Sequence, residues 1–344
     1  MSQINKLATL VKFFALVLLV LYASCVLLTD KHITELSGQV MTINYRILIG
    51  QTLSDRQRQA VLAIINGTFA EINAIFNKWN PTSEISLLNA LPAHIKQPLS
   101  PALYQFLQRL DSYVTLSGGK FDPTMEPLQQ LWKKYLSKGV IPPENEIAQI
   151  RPSIGWHNIH FENGWFYKDD DRTALDLGGV AKGLCVDLIL ERLHMAGYPS
   201  LFVEWGGEIR TCGYHPSKRP WQVYISRLGE LDEQKAIAQL NLTDQALATS
   251  GDYFQYWLIT MPDSTERTFC HIFNPKTLWP LEVRPGSVNS SSMLAHDCVT
   301  ADALAKVPML FDTVDEATAW LQKVQQIYPE VACWIVAHQN QQAQ

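Results

Sequence analysis

Asp176-Leu177-Gly178-Gly179-Val180-Ala181-Lys182-Gly183 decides how this chain is read. Thr173-Ala174-Leu175 enters it as a short apolar run, and Leu184 to Leu190 leaves it with helix-like spacing. The layout predicts a strand, a glycine turn and a helix start. Glycines, lacking a Cβ, let a ligand approach the backbone, and N–H groups at a helix start favour a phosphate. Lys182 offers that phosphate a point charge, and Asp176 is placed to orient a polar group or a metal-bound water. The pattern is neither G-x-G-x-x-G nor G-x-x-x-x-G-K-[ST], so neither a Rossmann nor a P-loop reading is licensed. Read alone, the stretch is equally a glycine turn followed by a surface lysine.

Around it lies a chain of 344 residues, 47% hydrophobic and 18% charged. That balance is globular, not disordered. A net charge of −5 gives no reason to propose nucleic-acid binding. Lys6 and Lys12 precede an apolar run from Phe13 to Leu28, which reads as a signal peptide or signal anchor within residues 1–30. Positive charge before the run places the start in the cytoplasm and the remainder outside it. Leu21-Tyr22-Ala23-Ser24-Cys25 resembles a bacterial lipoprotein cleavage box, which makes Cys25 a candidate lipid anchor. Cleavage after Ala23 or Ser24, and no cleavage, are the alternatives. The expected location is the periplasmic side of the bacterial inner membrane. Residues 31–338 are expected to form one domain, followed by a polar tail, 339–344. None of the six cysteines has C-x-x-C spacing, which argues against a zinc site. Five of them lie beyond the export segment, so at least one is unpaired.

Val40 to Ile49 alternates as a strand, and Val61, Ile65, Phe69, Ile72, Phe76 and Trp79 recur at helical spacing, predicting a helix from Ser54 to Trp79. A second helix is expected from Ala102 to Ser117. Asn163-Gly164 between two apolar runs signals a hairpin. Leu201–Trp205 and Glu208–Cys212 read as strands around Gly206-Gly207, with another strand from Trp221 to Ser226. Val299 to Met309 reads as a helix stopped by Pro308, Thr313 to Ile327 as a late helix, and Val331 to Ala337 as a last strand. Helices and strands mix without βαβ alternation, which predicts an α+β fold.

The 176–183 stretch resembles the D-[LS]-[GS]-[GA]-x-A-K-G signature of the ApbE-like FAD:protein FMN transferases. Further blocks like that family's follow in its order: Trp79 to Asn89, Ser117 to Thr124, Val203 to Arg210, Ala248 to Tyr253, His271 to Thr277 and Thr300 to Ala305. The resemblance spans roughly Gly38 to Asp312. It implies a two-lobed α+β fold with mixed sheets and FAD in the cleft between the lobes. Residue by residue, it implies FAD contacts at Met41, Trp79, Asp122, Asp176, Lys182 and His271. His271 carries over as catalytic base or acceptor-positioning group, alongside Lys182, with Asp252 on the acceptor side. A histidine is suited to that work because it titrates near neutral pH.

The resemblance also implies a Mg²⁺ site at the Gly179 carbonyl and Asp302. The family's threonine ligand stands four residues after that aspartate, where this chain has Lys306. Residues i and i+4 share a helix face, so the ammonium can pair with Asp302 and take part of the cation's place; alternatively it turns outward and water replaces the lost oxygen. Thr42-Ile43 stands for the family's Gly-Thr, Glu126 for a glycine and Asn274 for an aspartate. The implied reaction moves FMN from FAD, a substrate, to a Ser or Thr hydroxyl of an acceptor and releases AMP. Its implied partners are flavin-accepting subunits of respiratory or other exported redox proteins. A non-catalytic FAD- or FMN-binding assembly factor and an FAD pyrophosphate hydrolase are the other two readings.

Overall fold

A computed structural model describes residues 32–226, 236–252 and 256–338. The export segment with Cys25 and the 339–344 tail lie outside them. The chain runs through β1 (Thr34–Val40), β2 (Ile43–Ile49), α1 (Asp55–Ile75), α2 (Glu84–Asn89), β3 (Gln97–Pro98), α3 (Pro101–Leu116), α4 (Glu126–Leu136) and α5 (Glu144–Ile150). It continues through β4 (Ile159–Glu162), β5 (Trp165–Lys168), α6 (Ala181–Met195), β6 (Leu201–Trp205), β7 (Glu208–Cys212), β8 (Trp221–Ile225) and β9 (Ala238–Leu242). Then come β10 (Ala246–Gly251), β11 (Tyr256–Thr260), β12 (Glu266–Asn274), β13 (Trp279–Glu282), β14 (Val288–Ala295), α7 (Cys298–Ala305), α8 (Val314–Ile327) and β15 (Ala332–Ala337).

The main sheet has seven strands in the order β1-β2-β6-β7-β10-β14-β15, and every neighbouring pair is antiparallel. On one face α6 packs against β6 and β7, and α7 against β10 and β14, while α1 lies on α6. This layer holds the largest apolar core, from Val61, Ile65 and Phe69 of α1 to Val186 and Ile189 of α6 and Val299 and Leu304 of α7. On the other face Trp221, Val223 and Ile225 of the two-stranded β8-β9 sheet bury against Phe202, Ile209 and Leu247. A smaller lobe joins the β11-β12-β13 sheet to α4 and α5. Its centre is Trp132, fully buried among Leu128, Phe269, Phe273 and Leu278, with its indole N–H donating to the Leu278 carbonyl at 2.9 Å. The α+β class is therefore the observed one.

Local chemistry explains most element ends. Ser54 caps α1 in a reciprocal capping box with Gln57, which stops backward growth of the helix. Asn163 and Gly164 both take positive φ, the geometry of a two-residue hairpin turn, between β4 and β5. Three expectations need correction. Val40 to Ile49 is not one strand: Met41 and Thr42, with φ of 50° and 65°, turn the chain between β1 and β2. The predicted first helix stops at Ile75, and Trp79 lies beyond it with 74% of its surface exposed. Thr173 to Leu175 is not a strand: its backbone groups bond side chains and a local turn, the Thr173 N–H donating to the Asp170 carbonyl at 3.1 Å. Leu175 exchanges two hydrogen bonds with the Asn89 amide, at 2.7 and 2.9 Å, and Lys168 donates to the Thr173 carbonyl at 2.8 Å.

Candidate active site

The 176–183 stretch forms a tight turn leading into α6. The Asp176 N–H donates to the Pro123 carbonyl at 2.7 Å, tying the stretch to the loop before α4. Asp176 Oδ1 accepts from the Gly178 N–H at 2.9 Å, and its Oδ2 lies 2.9 Å from Lys78 Nζ. Lys78 also binds Glu126 at the start of α4. Burial raises the pKa of Asp176, but the Lys78 charge together with hydrogen bonds from Lys78, the Gly178 N–H and Gln129 outweighs it and holds the carboxyl below its usual range. Burial likewise opposes the Lys78 ammonium, and its two carboxylates outweigh that and raise its pKa. Glu126 thus points at Lys78 and spends its charge there. Lys78 was not visible as a site residue in the sequence: its partners belong to distant segments, and no local motif marks it.

The remaining glycines of the motif have steric work. A Cβ on Gly183 would stand 2.6 Å from the Cys298 carbonyl oxygen, so glycine permits the close crossing of α6 and α7. A Cβ on Gly179 would stand 2.8 Å from Lys306 Cε. The expected free N–H groups at the helix start are partly committed, since the Gly183 N–H donates to Asp302 Oδ2 at 3.1 Å. The other oxygen of Asp302 accepts from Lys306 Nζ at 2.6 Å, and the same ammonium donates to the Asp302 carbonyl at 2.9 Å. Of the two orientations open for Lys306, the structure has the inward one. Lys182 is built the same way, 2.6 Å from buried Glu208. Burial opposes both charges: the Lys182 pKa is nevertheless raised by Glu208, and burial pushes Glu208 up, aided by the Asp302 charge and opposed by Lys182.

Several of these groups line a cavity of about 370 Å³ between the main sheet and the smaller lobe. Asp122, Asp176, Gly179, Lys182, Glu208, His271 and Lys306 all face it, together with Thr249 to Gly251 at the end of β10. His271 enters from β12 of the smaller lobe. Asp122 accepts from both the N–H and the hydroxyl of Thr124, at 2.8 and 2.6 Å, and burial raises its pKa against those bonds. Apart from Asp302, which stands behind Lys306, three expected site residues are not on this cavity's wall. Met41 is half-buried in the β1-β2 turn and is not among the lining residues. Trp79 lies outside the cavity wall, with Lys78 and Lys133 5.0 and 5.4 Å from its ring centroid. Asp252 lines a neighbouring cavity, where it accepts from Asn289 at 2.9 Å and stands 2.6 Å from His338 Nε2. The substituted Asn274 keeps a turn role, its amide oxygen accepting from the Lys276 N–H at 2.9 Å.

A magnesium ion wants about six oxygen ligands in near-octahedral array. Of the positions implied as metal ligands only Asp302 carries a carboxylate, and both of its oxygens already accept hydrogen bonds, one from an ammonium. No group of three or more His, Cys, Asp or Glu is placed to hold a metal among the described residues. A protonated lysine has no lone pair to give. The donor set as arranged does not fit the ion.

The fold is that of an α+β protein with a polar cavity between its main sheet and smaller lobe. The ApbE family model matches residues 38–331, so this chain belongs to the ApbE family. It is 36% identical over 319 residues to the FAD:protein FMN transferase of Chlamydia pneumoniae, covering 92% of this chain and 96% of that one. The apo flavinyl transferase ApbE of Pseudomonas stutzeri superposes with a TM-score of 0.77 at 21% identity, covering 90% of this chain and 92% of that one. The flavin transferase ApbE of Vibrio cholerae gives 0.73 at 25% identity, covering 89% and 94%.

Proposed function

We propose that this chain is an FAD:protein FMN transferase, moving FMN from FAD to a Ser or Thr hydroxyl of an acceptor protein with release of AMP. The observation that carries the reading is the convergence of Asp122, Asp176 with Lys182, Glu208 and His271, from four separate motif blocks, on one cavity. Family membership and the transferase relatives support it. Lys182 and Lys306 each present an ammonium to the cavity from a buried carboxylate, an arrangement suited to a pyrophosphate. His271, on the opposite lobe, is assigned to take the acceptor hydroxyl's proton. Asp122 and Asp176 are assigned to hold polar groups of the flavin nucleotide. Asp252, paired with His338 next door, is assigned to the acceptor side by shaping the strand end that carries Thr249 to Gly251.

The acceptors are read as subunits of exported redox proteins, and the chain as held at the periplasmic face of the inner membrane. Both rest on the basic-then-apolar N-terminus, Lys6 to Leu28, with lipidation at Cys25 as one mode of attachment. The test incubates the full chain with FAD and a flavin-acceptor domain. Flavin fluorescence on the denatured acceptor, together with AMP in solution, is the expected result. AMP without labelled acceptor points to hydrolysis. FAD recovered intact, while a control transferase labels the same acceptor, points to a flavin-binding module.

A further inference from the structure

We propose that the Lys306 ammonium is this chain's built-in substitute for a divalent cation, so that FAD binding and FMN transfer are independent of Mg²⁺; the inference rests on the transferase reading above. Asp302 is buried, with 2% of its side chain exposed, whereas Lys306 in front of it is 28% exposed and lines the cavity. The pair is therefore a dipole with its positive end toward the cavity. Two of the ammonium's three donors are spent on Asp302, which leaves one for a phosphate oxygen. Gly179 keeps the space that the Lys306 stem fills, since a Cβ there would touch Cε and approach Nζ to 3.6 Å. Motif glycine, helix aspartate and lysine thus form one packed unit. A cation placed on Asp302 would have to evict the ammonium or stand against a like charge.

The chemistry closes without a metal. The acceptor oxygen forms a bond to the FMN-side phosphorus, the bond from that phosphorus to the bridging oxygen breaks, and AMP leaves with the electron pair. The hydroxyl proton goes to His271. Lys306 forms and breaks no covalent bond; it stabilises charge on the phosphates as a lysine does, as a point charge.

The test titrates FAD into the full chain by flavin fluorescence, in EDTA and in Mg²⁺, and measures acceptor labelling in parallel. For the unaltered chain the FAD dissociation constant and the labelling rate are expected to agree within about twofold between the two conditions. Lys306→Thr is expected to lose about ten- to a hundredfold in FAD affinity in EDTA, the scale of a hydrogen bond to a charged group, and to recover it with Mg²⁺. Lys306→Arg, which keeps the charge, is expected to stay indifferent to the metal. A tenfold or greater loss of affinity by the unaltered chain in EDTA overturns the proposal, and needs no variant to fold. Unchanged FAD affinity of Lys306→Thr in EDTA overturns it as well. Metal-independent FAD binding without labelled acceptor supports the Lys306 assignment and counts against the transfer reading.

Discussion

Gly179 tests the site at the scale of one methyl group. Its substitution by alanine sets a Cβ 2.8 Å from Lys306 Cε, and what must yield is the end of a flexible side chain, not backbone. Folding should tolerate that; ammonium placement should not. Gly179→Ala is expected to change unfolding free energy by less than about 1 kcal/mol while weakening FAD binding about two- to tenfold, the range of one misplaced hydrogen bond. Urea unfolding and flavin fluorescence titration separate the two effects. A variant that binds FAD as tightly as the parent removes Gly179 from the Lys306 unit. The i, i+4 spacing of Asp302 and Lys306 was readable from the sequence, because a helix brings such residues together whatever surrounds it. Lys78 was not, because its contacts with Asp176 and Glu126 exist only after three segments have folded against each other. Trp79 misled for a related reason: it continues the helical spacing of Val61 to Phe76, but the helix has already ended.

Helices α6 and α7 are set close because Gly183 faces the Cys298 carbonyl. Their crossing brings Lys182 and Lys306 to one cavity wall, so element packing is a condition of the chemistry. Asp187 of α6 reinforces it by accepting from the N–H groups of Cys298 and Val299 at 2.8 and 2.9 Å, satisfying the first turn of α7. Gly183→Ala gains up to about 1 kcal/mol of helix propensity but drives a Cβ into backbone at 2.6 Å. Overpacking against backbone costs about 1–3 kcal/mol, so the expected outcome is net destabilisation, read as a lower urea midpoint at unchanged slope. A midpoint equal to the parent's would show that the two helices have slack at their crossing. The sequence displayed α1, α3 and the β6-β7 hairpin through their apolar periods and turn residues. It concealed β10 and β14, the strands under α7. Ser291 and Ser292, neighbours on opposite faces of β14, are both buried, and Thr249 bonds Ser292 at 2.8 Å, so small polar residues stand where hydrophobic alternation would have marked a strand.

At the scale of the molecule, Lys78 fastens the end of α1 to the 176–183 turn and to the first residue of α4, and so links the main layer to the smaller lobe. All three side chains are at most 15% exposed. Asp176 has a folded-state pKa below its ordinary value, burial working against that and the Lys78 charge prevailing only together with the hydrogen bonds the carboxylate accepts. A depressed carboxylate contributes stability that is present above its unfolded pKa of about 3.9 and is lost as pH falls through the folded one. The molecule is therefore expected to weaken steeply below about pH 4. Removing the cation reverses the sign. In Lys78→Met, Asp176 and Glu126 are left buried with no partner charge, a loss of about 3–5 kcal/mol at neutral pH. The Asp176 carboxyl, with burial no longer offset by Lys78, then binds a proton more readily folded than unfolded, so the variant should recover part of that loss as pH is lowered from 7.5 to 5. Urea unfolding of parent and Lys78→Met at the two pH values measures the difference directly. A deficit that is the same at both would mean that the lysine stem's packing, not its charge, joins the two lobes.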